Sequence, residues 1–313
     1  MILVAGSANL DFVVRAHRIP APGETVLGRD FATYPGGKGA NQAVACARAG
    51  GADTHMLLAL GQDPFAAPIE ASLTKAGVHL HLVRPFGLPT GTAFICVSDD
   101  AENAITVAPG ANLALEPEHL PPLAGFSHLL LQLETPLPTV VAYARAARAQ
   151  GVKVVLNAAP AQELPAELLE LLDILVVNQG ELATVARHSG SVAQCMATLA
   201  VPCVVVTLGP LGCCARRDGE AILQPAFSVT PTDTTAAGDT LCGVLVARLA
   251  RQNSLAESLQ LASAAAALAC TRAGAQDSIP GQAEVAAFVH NQPAATSAQW
   301  AALQDLSGLE NQN

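Results

Sequence analysis

HLLLQLETPLPTVVAYARAARAQGVKVVLNA, residues 128–158, holds the reading on which the fold turns. HLLLQL at 128–133 is apolar without alternation, the signature of a strand buried on both faces. A Pro-flanked segment follows and passes into an Ala-rich helix, expected over Thr139–Gln150, which stops at Gly151. VKVVLNA at 152–158 is a second buried strand. Strand, helix, strand with so short a connection is a parallel βαβ unit. The same alternation continues downstream: a helix at Ala166–Leu172, DILVVN at 173–178, a helix at Glu181–Arg187, then CVVVTLG at 203–209 and a hairpin near Arg216–Leu223. Long Ala-rich helices are expected at about 238–251 and 255–272. Upstream, Ile2–Gly6 is a short buried strand, and HMLLAL at 55–60 precedes a helix around Pro64–Ala76. The fold class expected is α/β, a three-layer sandwich with a mainly parallel central sheet.

Two stretches break the alternation. Phe12–Arg15, Thr25–Leu27 and Phe31–Tyr34 are β-like pieces around IPAPGE, and Gly91–Ser98 with Asn103–Ala108 form another such region. Together they predict a small separate sheet, a lid over a pocket. The expected division is a core of 1–11, 36–90 and 109–292, a lid of 12–35 and 91–108, and a tail of 293–313, either frayed or an extra helix.

Of the 313 residues 51% are hydrophobic and 4% aromatic, which suits close-packed helices and buried strands and excludes general disorder. The net charge of −10 supplies no basic field for nucleic acid. No signal-peptide pattern opens the chain, and no run of about 18 apolar residues suggests a membrane span. The eight cysteines form no CxxC pair and mostly sit in apolar runs, as reduced, packed thiols would in a cytoplasmic enzyme.

Three polar segments stand where ligands bind in such a sheet. DTTAAGDT at 233–240 runs directly into the apolar helix LCGVLVARL. The small Ala236, Ala237 and Gly238 let a ligand approach exposed amides at a helix start, an anion site, and Asp239 beside it can take a proton from an attacking hydroxyl. Asp239 is equally a residue that would simply cap the helix. NQGE at 178–181 leaves a buried strand at its carboxyl end, so Asn178 and Glu181 could hold Mg²⁺ and steer phosphate oxygens, or could form an ordinary capping box. GGKGAN at 36–41 brings Gly37 for backbone approach and Lys38 and Asn41 as donors. SANLD at 7–11 points Asn9 and Asp11 from another strand end. A GxxxxGK[ST] phosphate loop is absent, so any nucleotide must be cradled differently.

SANLD, PAPGET, GGKGANQAVA, PTGTAF, APGANLAL, LLLQLE, NAAPAQELP, NQGE, VTLG, DTTAAGDT and TRAGAQDSIP occur in this order from about residue 2 to 290. The chain thereby resembles the ribokinase-like (PfkB) carbohydrate kinases, most closely those that phosphorylate D-ribose. The resemblance implies ATP-dependent phosphorylation of a primary hydroxyl. It implies sugar contacts from Asn9, Asp11, Gly37, Lys38, Asn41 and Glu134, Asp239 as base, and an anion hole of Ala236, Ala237 and Gly238. Asn178 and Glu181 would organise Mg²⁺ and phosphate, and Thr207, Gly209, Gly212 and Gly238 would line the ATP site. It further implies an activating K⁺ at Asp233 and Ser278 with the carbonyls of Thr235, Ala269, Arg272 and Gly274. A homodimer through the lid, with Ala93 and Ile95 in that region, is implied as well. Ser263 departs from the family, which often carries a His there near adenine. Leu241 replaces an aromatic and NAAP a more usual NPAP. Another pentose, a ketohexose or a nucleoside stays open as substrate, and so does a non-catalytic sugar or nucleotide sensor on the same scaffold.

Overall fold

A computed structural model of the chain describes residues 1–100 and 102–309. Seven parallel strands carry the centre: β1 (Ile2–Ala5), β4 (Thr54–Ala59), β5 (His79–Val83), β8 (His128–Leu131), β9 (Lys153–Asn157), β10 (Ile174–Asn178) and β11 (Cys203–Thr207). β12 (Gly212–Arg217) and β13 (Glu220–Pro225) add an antiparallel hairpin at one edge, giving the order β13-β12-β11-β10-β9-β8-β1-β4-β5. Side chains alternate across each strand, so an unbroken apolar run feeds two cores at once. Val4, Met56, Leu58, Leu130, Val155 and Val205 enter one core. Leu3, Leu57, Leu129, Leu131, Val154 and Val204 enter the other.

The first face is covered by α1 (Lys38–Val44), which continues into a π-helical turn at Ala45–Ala49, and by α2 (Ala66–Lys75). α7 (Ala237–Ala250), α8 (Leu255–Cys270) and α9 (Gln282–Asn291) complete that layer. The second face is covered by α3 (Leu137–Ala149), α4 (Ala166–Leu171), α5 (Gln179–Ala186) and α6 (Val192–Ala197). α10 (Ser297–Ser307) joins it. Leu303 is fully buried and Trp300 and Leu306 pack beside it. The tail therefore carries an added helix, Ser297–Ser307, held by a Thr296–Gln299 capping box and ended by Gly308; residues 310–313 lie outside the described residues.

A second, four-stranded sheet has the order β3-β2-β6-β7, from β2 (Asn9–Ala16), β3 (Gly28–Gly36), β6 (Gly91–Val97) and β7 (Asn103–Ala108). β2 pairs in parallel with β6, and the other two pairings are antiparallel. Ala101, within the expected lid segment, lies outside the described residues. The β-like piece expected at Thr25–Leu27 is not a strand: it finds no partner, and Leu27 is 85% exposed. The edge strand β5 was not foreseen, because HLHLV alternates polar with apolar residues and is only half covered.

Candidate active site

The polar residues converge at the carboxyl ends of the parallel strands, between the central sheet and the lid. Asp239 occupies the first turn of α7 and is buried. Its two carboxylate oxygens accept hydrogen bonds from Asn41 Nδ2 at 3.0 Å and Gln42 Nε2 at 2.9 Å. Gln42 in turn donates to Asn157 Oδ1 at 2.9 Å and accepts from Gln132 Nε2 at 2.7 Å. Asn157 donates to the carbonyl of Val176 at 3.1 Å. Asp239 is thus oriented by a chain of amides running through α1, β9 and β10.

Close packing of α1 on α7 makes this possible. A methyl group on Gly243 would lie 2.5 Å from the Gln42 carbonyl and 2.9 Å from the Cys46 amide, so only glycine lets the helices meet there. Gly37 has φ 88° at the start of α1, a left-handed conformation that favours glycine. A methyl there would also lie 2.8 Å from Ala8 Cα.

No side chain caps α7; its N-terminal position is Ala236, at φ 58° and ψ 12°. The Ala237 amide donates to the Thr234 carbonyl at 3.3 Å, and the Gly238 and Asp239 amides have no carbonyl partner four residues back and are open to an anion. α5 and α8 close the same end with side-chain capping boxes. The contrast answers the capping reading of Asp239, whose carboxylate faces Asn41 and Gln42 instead. For Asn178 the capping box is real: Asn178 Oδ1 accepts from the Glu181 amide, and Glu181 Oε2 from the Asn178 amide, both at 2.8 Å. One Glu181 carboxylate oxygen and the Asn178 side-chain Nδ2 remain for the cleft.

That cleft, of about 180 Å³, is lined by Lys38, Asn178, Glu181, Thr207, Ala236–Gly238 and Asp239. The Asp239 carboxylate raises the Lys38 pKa against the cost of burial, helped by Glu134 and Glu181. Burial raises Glu181, opposed by the Asn178 amide and Lys38. Lys38 lines this cleft and not the cavity under the lid. Gly209, in the turn after β11, and Gly212, the first residue of β12, lie just beyond Thr207 and do not line the cleft. Ser263 is buried with its hydroxyl 3.5 Å from Cys213 Sγ, between α8 and β12.

A second cavity of about 250 Å³ lies under the lid, lined by Asp11, Val13, Tyr34, Ile95, Asp233, Thr234 and Gly274 among others; Thr234 borders both spaces. Burial, then Glu134, then Asp239 push Asp11 up to about 7. Its oxygens have no donor among the described residues. Gly36 makes room for it, since a methyl there would lie 2.1 Å from Asp11 Oδ2. Asn9 Oδ1 accepts from Asn112 Nδ2 at 2.8 Å, while Asn112 Oδ1 accepts from the Ala8 amide. Glu134 accepts from the Ser7 hydroxyl and, at 3.1 Å, from the Lys38 amide, tying β1 and α1 together. Ala93 is buried on the same lid strand as Ile95.

Asp233 bridges the two segments expected to flank a monovalent cation. Its Oδ1 accepts from the Thr235 amide at 2.9 Å and its Oδ2 from the Gly274 amide at 3.0 Å. Burial works to raise its pKa, but the hydrogen bonds from Thr235 and Gly274 outweigh it. Ser278 is buried and donates to the Ala275 carbonyl; Arg272 sends its side chain to Glu284. The cluster is rich in oxygen and poor in charge, as a cage for K⁺ requires, and each Asp233 oxygen keeps a second lone pair.

Gln42, Gln132, Asn157, Asn112 and Ser7 were not singled out from the sequence. Asn157 follows the rule that exposed Asn178, a polar residue closing an apolar strand. Gln42, Ser7 and Asn112 sat inside recognised motifs but work through other side chains, which no spacing announces.

A family model described as pfkB family carbohydrate kinase matches residues 1–282. The chain is 38% identical over 302 residues to a ribokinase of Haemophilus influenzae, covering 93% of this chain and 98% of that one. Among solved structures, a Thermotoga maritima ribokinase is similar at TM-score 0.85 and 34% identity, covering 93% of this chain and 99% of that one. An Arabidopsis thaliana ribokinase complexed with ribose and ATP is similar at TM-score 0.83 and 32% identity, covering 92% and 98%.

Proposed function

This chain belongs to the pfkB family of carbohydrate kinases, and from that premise we propose that it transfers the γ-phosphoryl group of ATP to the 5-hydroxyl of D-ribose. The carrying observation is Asp239, whose carboxylate is held by Asn41 and Gln42 at the uncapped start of α7. It stands beside the phosphate-side cleft and close enough to Asp11 to raise its pKa.

Ribose sits under the lid, with Asp11 accepting from two hydroxyls and Asn9 and Asn41 adding contacts. Asp239 takes the proton from the hydroxymethyl oxygen as that oxygen bonds to the γ-phosphorus, and ADP leaves. The Ala236–Gly238 amides and the Lys38 ammonium face the charge that develops on the phosphoryl oxygens. Asn178 and Glu181 fit as the residues that would organise Mg²⁺ and phosphate: the capping box fixes both, leaving one Glu181 carboxylate oxygen that could take Mg²⁺ directly or through water and the Asn178 Nδ2 group that could donate to a phosphate oxygen. Mg²⁺, when bound, neutralises phosphate charge. Thr207, with Gly209 and Gly212 behind it, belongs to the nucleotide side.

K⁺ bound by Asp233, Ser278 and the carbonyls of Thr235, Ala269, Arg272 and Gly274 would fix the backbone that carries the anion hole. A homodimer forms through the lid. The cytoplasm is the compartment that suits eight free cysteines; no helix of the described residues is long and apolar enough to cross a membrane.

The experiment is ADP release with Mg·ATP across ribose, deoxyribose, fructose and adenosine. Ribose should give the highest kcat/KM. A clear preference for another acceptor moves the substrate within the family, and no turnover with any sugar that binds would leave a sensor.

A further inference from the structure

Far from the active site, at the amino-terminal ends of the outer strands, four side chains gather that the kinase reaction does not use. Asp53 and His55 lie two residues apart at the start of β4, so they share a face. His79 and His81 do the same on β5, and the parallel register sets His55 directly beside His79. Asp53 Oδ1 is 3.8 Å from His55 Nε2 and 3.7 Å from His79 Nε2. One donor atom from each of Asp53, His55 and His79 falls within 4.8 Å of the others. Donors on a tetrahedral Zn²⁺ stand about 3.4 Å apart, so small side-chain rotations close the triangle.

We propose that Asp53, His55 and His79 form a surface site for one borderline divalent cation, Zn²⁺ or Co²⁺ in class, with His81 as the positioning residue behind it. Two imidazoles and a carboxylate suit such ions better than Mg²⁺ or Ca²⁺, which prefer oxygen. The second observation is the other side of the His55 ring. His55 Nδ1 lies 3.0 Å from His81 Nε2, and a ring that donates there presents Nε2 unprotonated toward Asp53 and His79. Metal-binding histidines are held in this way by an acceptor behind them. Phe126 packs edge-on against His55, with ring centroids 5.0 Å apart, and limits its rotation. The ion would clamp the edge strand β5 to β4, and exposure of His79, 66% for its side chain, leaves a fourth position for water.

The test is Co²⁺ and Zn²⁺ titration of the EDTA-treated, full-length protein without nucleotide, read by calorimetry and by the Co²⁺ visible spectrum. Wild type should take up one equivalent, show nitrogen and oxygen ligation without a thiolate charge-transfer band, and gain in Tm. His79→Ala and Asp53→Asn should lose that equivalent and the Tm gain while keeping kinase activity in Mg²⁺. His81→Leu should weaken affinity about tenfold or more, and His81→Gln, which restores an acceptor, should recover part of it. A wild type that binds no ion, a thiolate spectrum, or unchanged binding in His79→Ala overturns the proposal.

Discussion

Asp11 is buried on β2 beside Glu134 and Asp239, and its carboxyl titrates at about 7 instead of near its ordinary value of about 3.9. Its raised pKa means that the folded chain binds a proton here that the unfolded chain has released. Stability therefore falls as pH rises from about 4 to about 7, and the penalty is complete above 7. Asp11→Asn should raise the stability of the ligand-free protein at pH 8 by roughly 1–3 kcal/mol, a gain that shrinks toward pH 4; denaturant melts at the two pH values measure it. If ribose hydroxyls donate to the ionised carboxylate, as proposed above, wild-type sugar affinity, measured without ATP, should rise with pH through about 7. In Asp11→Asn that dependence should vanish and affinity drop by about tenfold or more. A pH-independent wild type would remove Asp11 from the sugar contacts. At Asp239 the expectation concerns rate: Asp239→Asn should bind both substrates yet lose about 10²–10⁴ in kcat. Because Asn41 and Gln42 both donate to it, the variant should also melt earlier. Near-normal kcat in a folded variant would assign the base elsewhere.

The elements that were legible in the chain are those whose pattern has one physical solution. β8, β9, β10 and β11 are unbroken apolar runs because both faces are covered, and Asn178 stands out because it ends such a run. β5 was hidden because an edge strand covered on one side has a weak alternation. Gln42 was hidden because its role exists only once α1 lies against α7. Gly243 carries that contact, and nothing in LCGVLVARL distinguishes it from a glycine tolerated in a helix. The structure gives it a consequence. Gly243→Ala pushes a methyl against the Gln42 carbonyl, and neither backbone can yield without moving Asn41 and Gln42 from Asp239. Stability should fall by about 1–3 kcal/mol, and kcat should fall more than the sugar KM rises. Equal kinetics in Gly243→Ala would show that the amide chain does not position the base. The segments around Asp233 give a second test at this scale: rates in K⁺ should exceed those in a bulky organic cation at equal ionic strength, and Asp233→Ala should abolish the difference.

At the scale of the molecule, the central sheet is closed by helices on both faces and the lid is not. The lid was foreseen from two breaks in the βα alternation, which places it but does not say what covers it. Its exposed apolar side chains include Phe31 at 66%, Phe94 and Ile105 at 55% and Val107 at 42%. All of β7 is exposed, and it forms an open edge of the sheet. Concentrated apolar surface beside an open edge is what a monomer avoids and an interface uses. A second lid would cover both faults at once, in a two-fold pairing that closes on itself. Ile105 is the place to break it, since it lines the cavity under the lid, paired with Ile95 across the strands, and still presents most of its side chain to solvent. Sedimentation of the wild type at tens of micromolar should give a dimer, and Ile105→Asp a monomer with its far-UV spectrum intact. The monomer should keep the KM for ATP and lose sugar affinity, because a lid without its partner closes less often over Asp11. A monomeric wild type would leave the exposed lid without this explanation, and a dimeric Ile105→Asp would place the interface on another face.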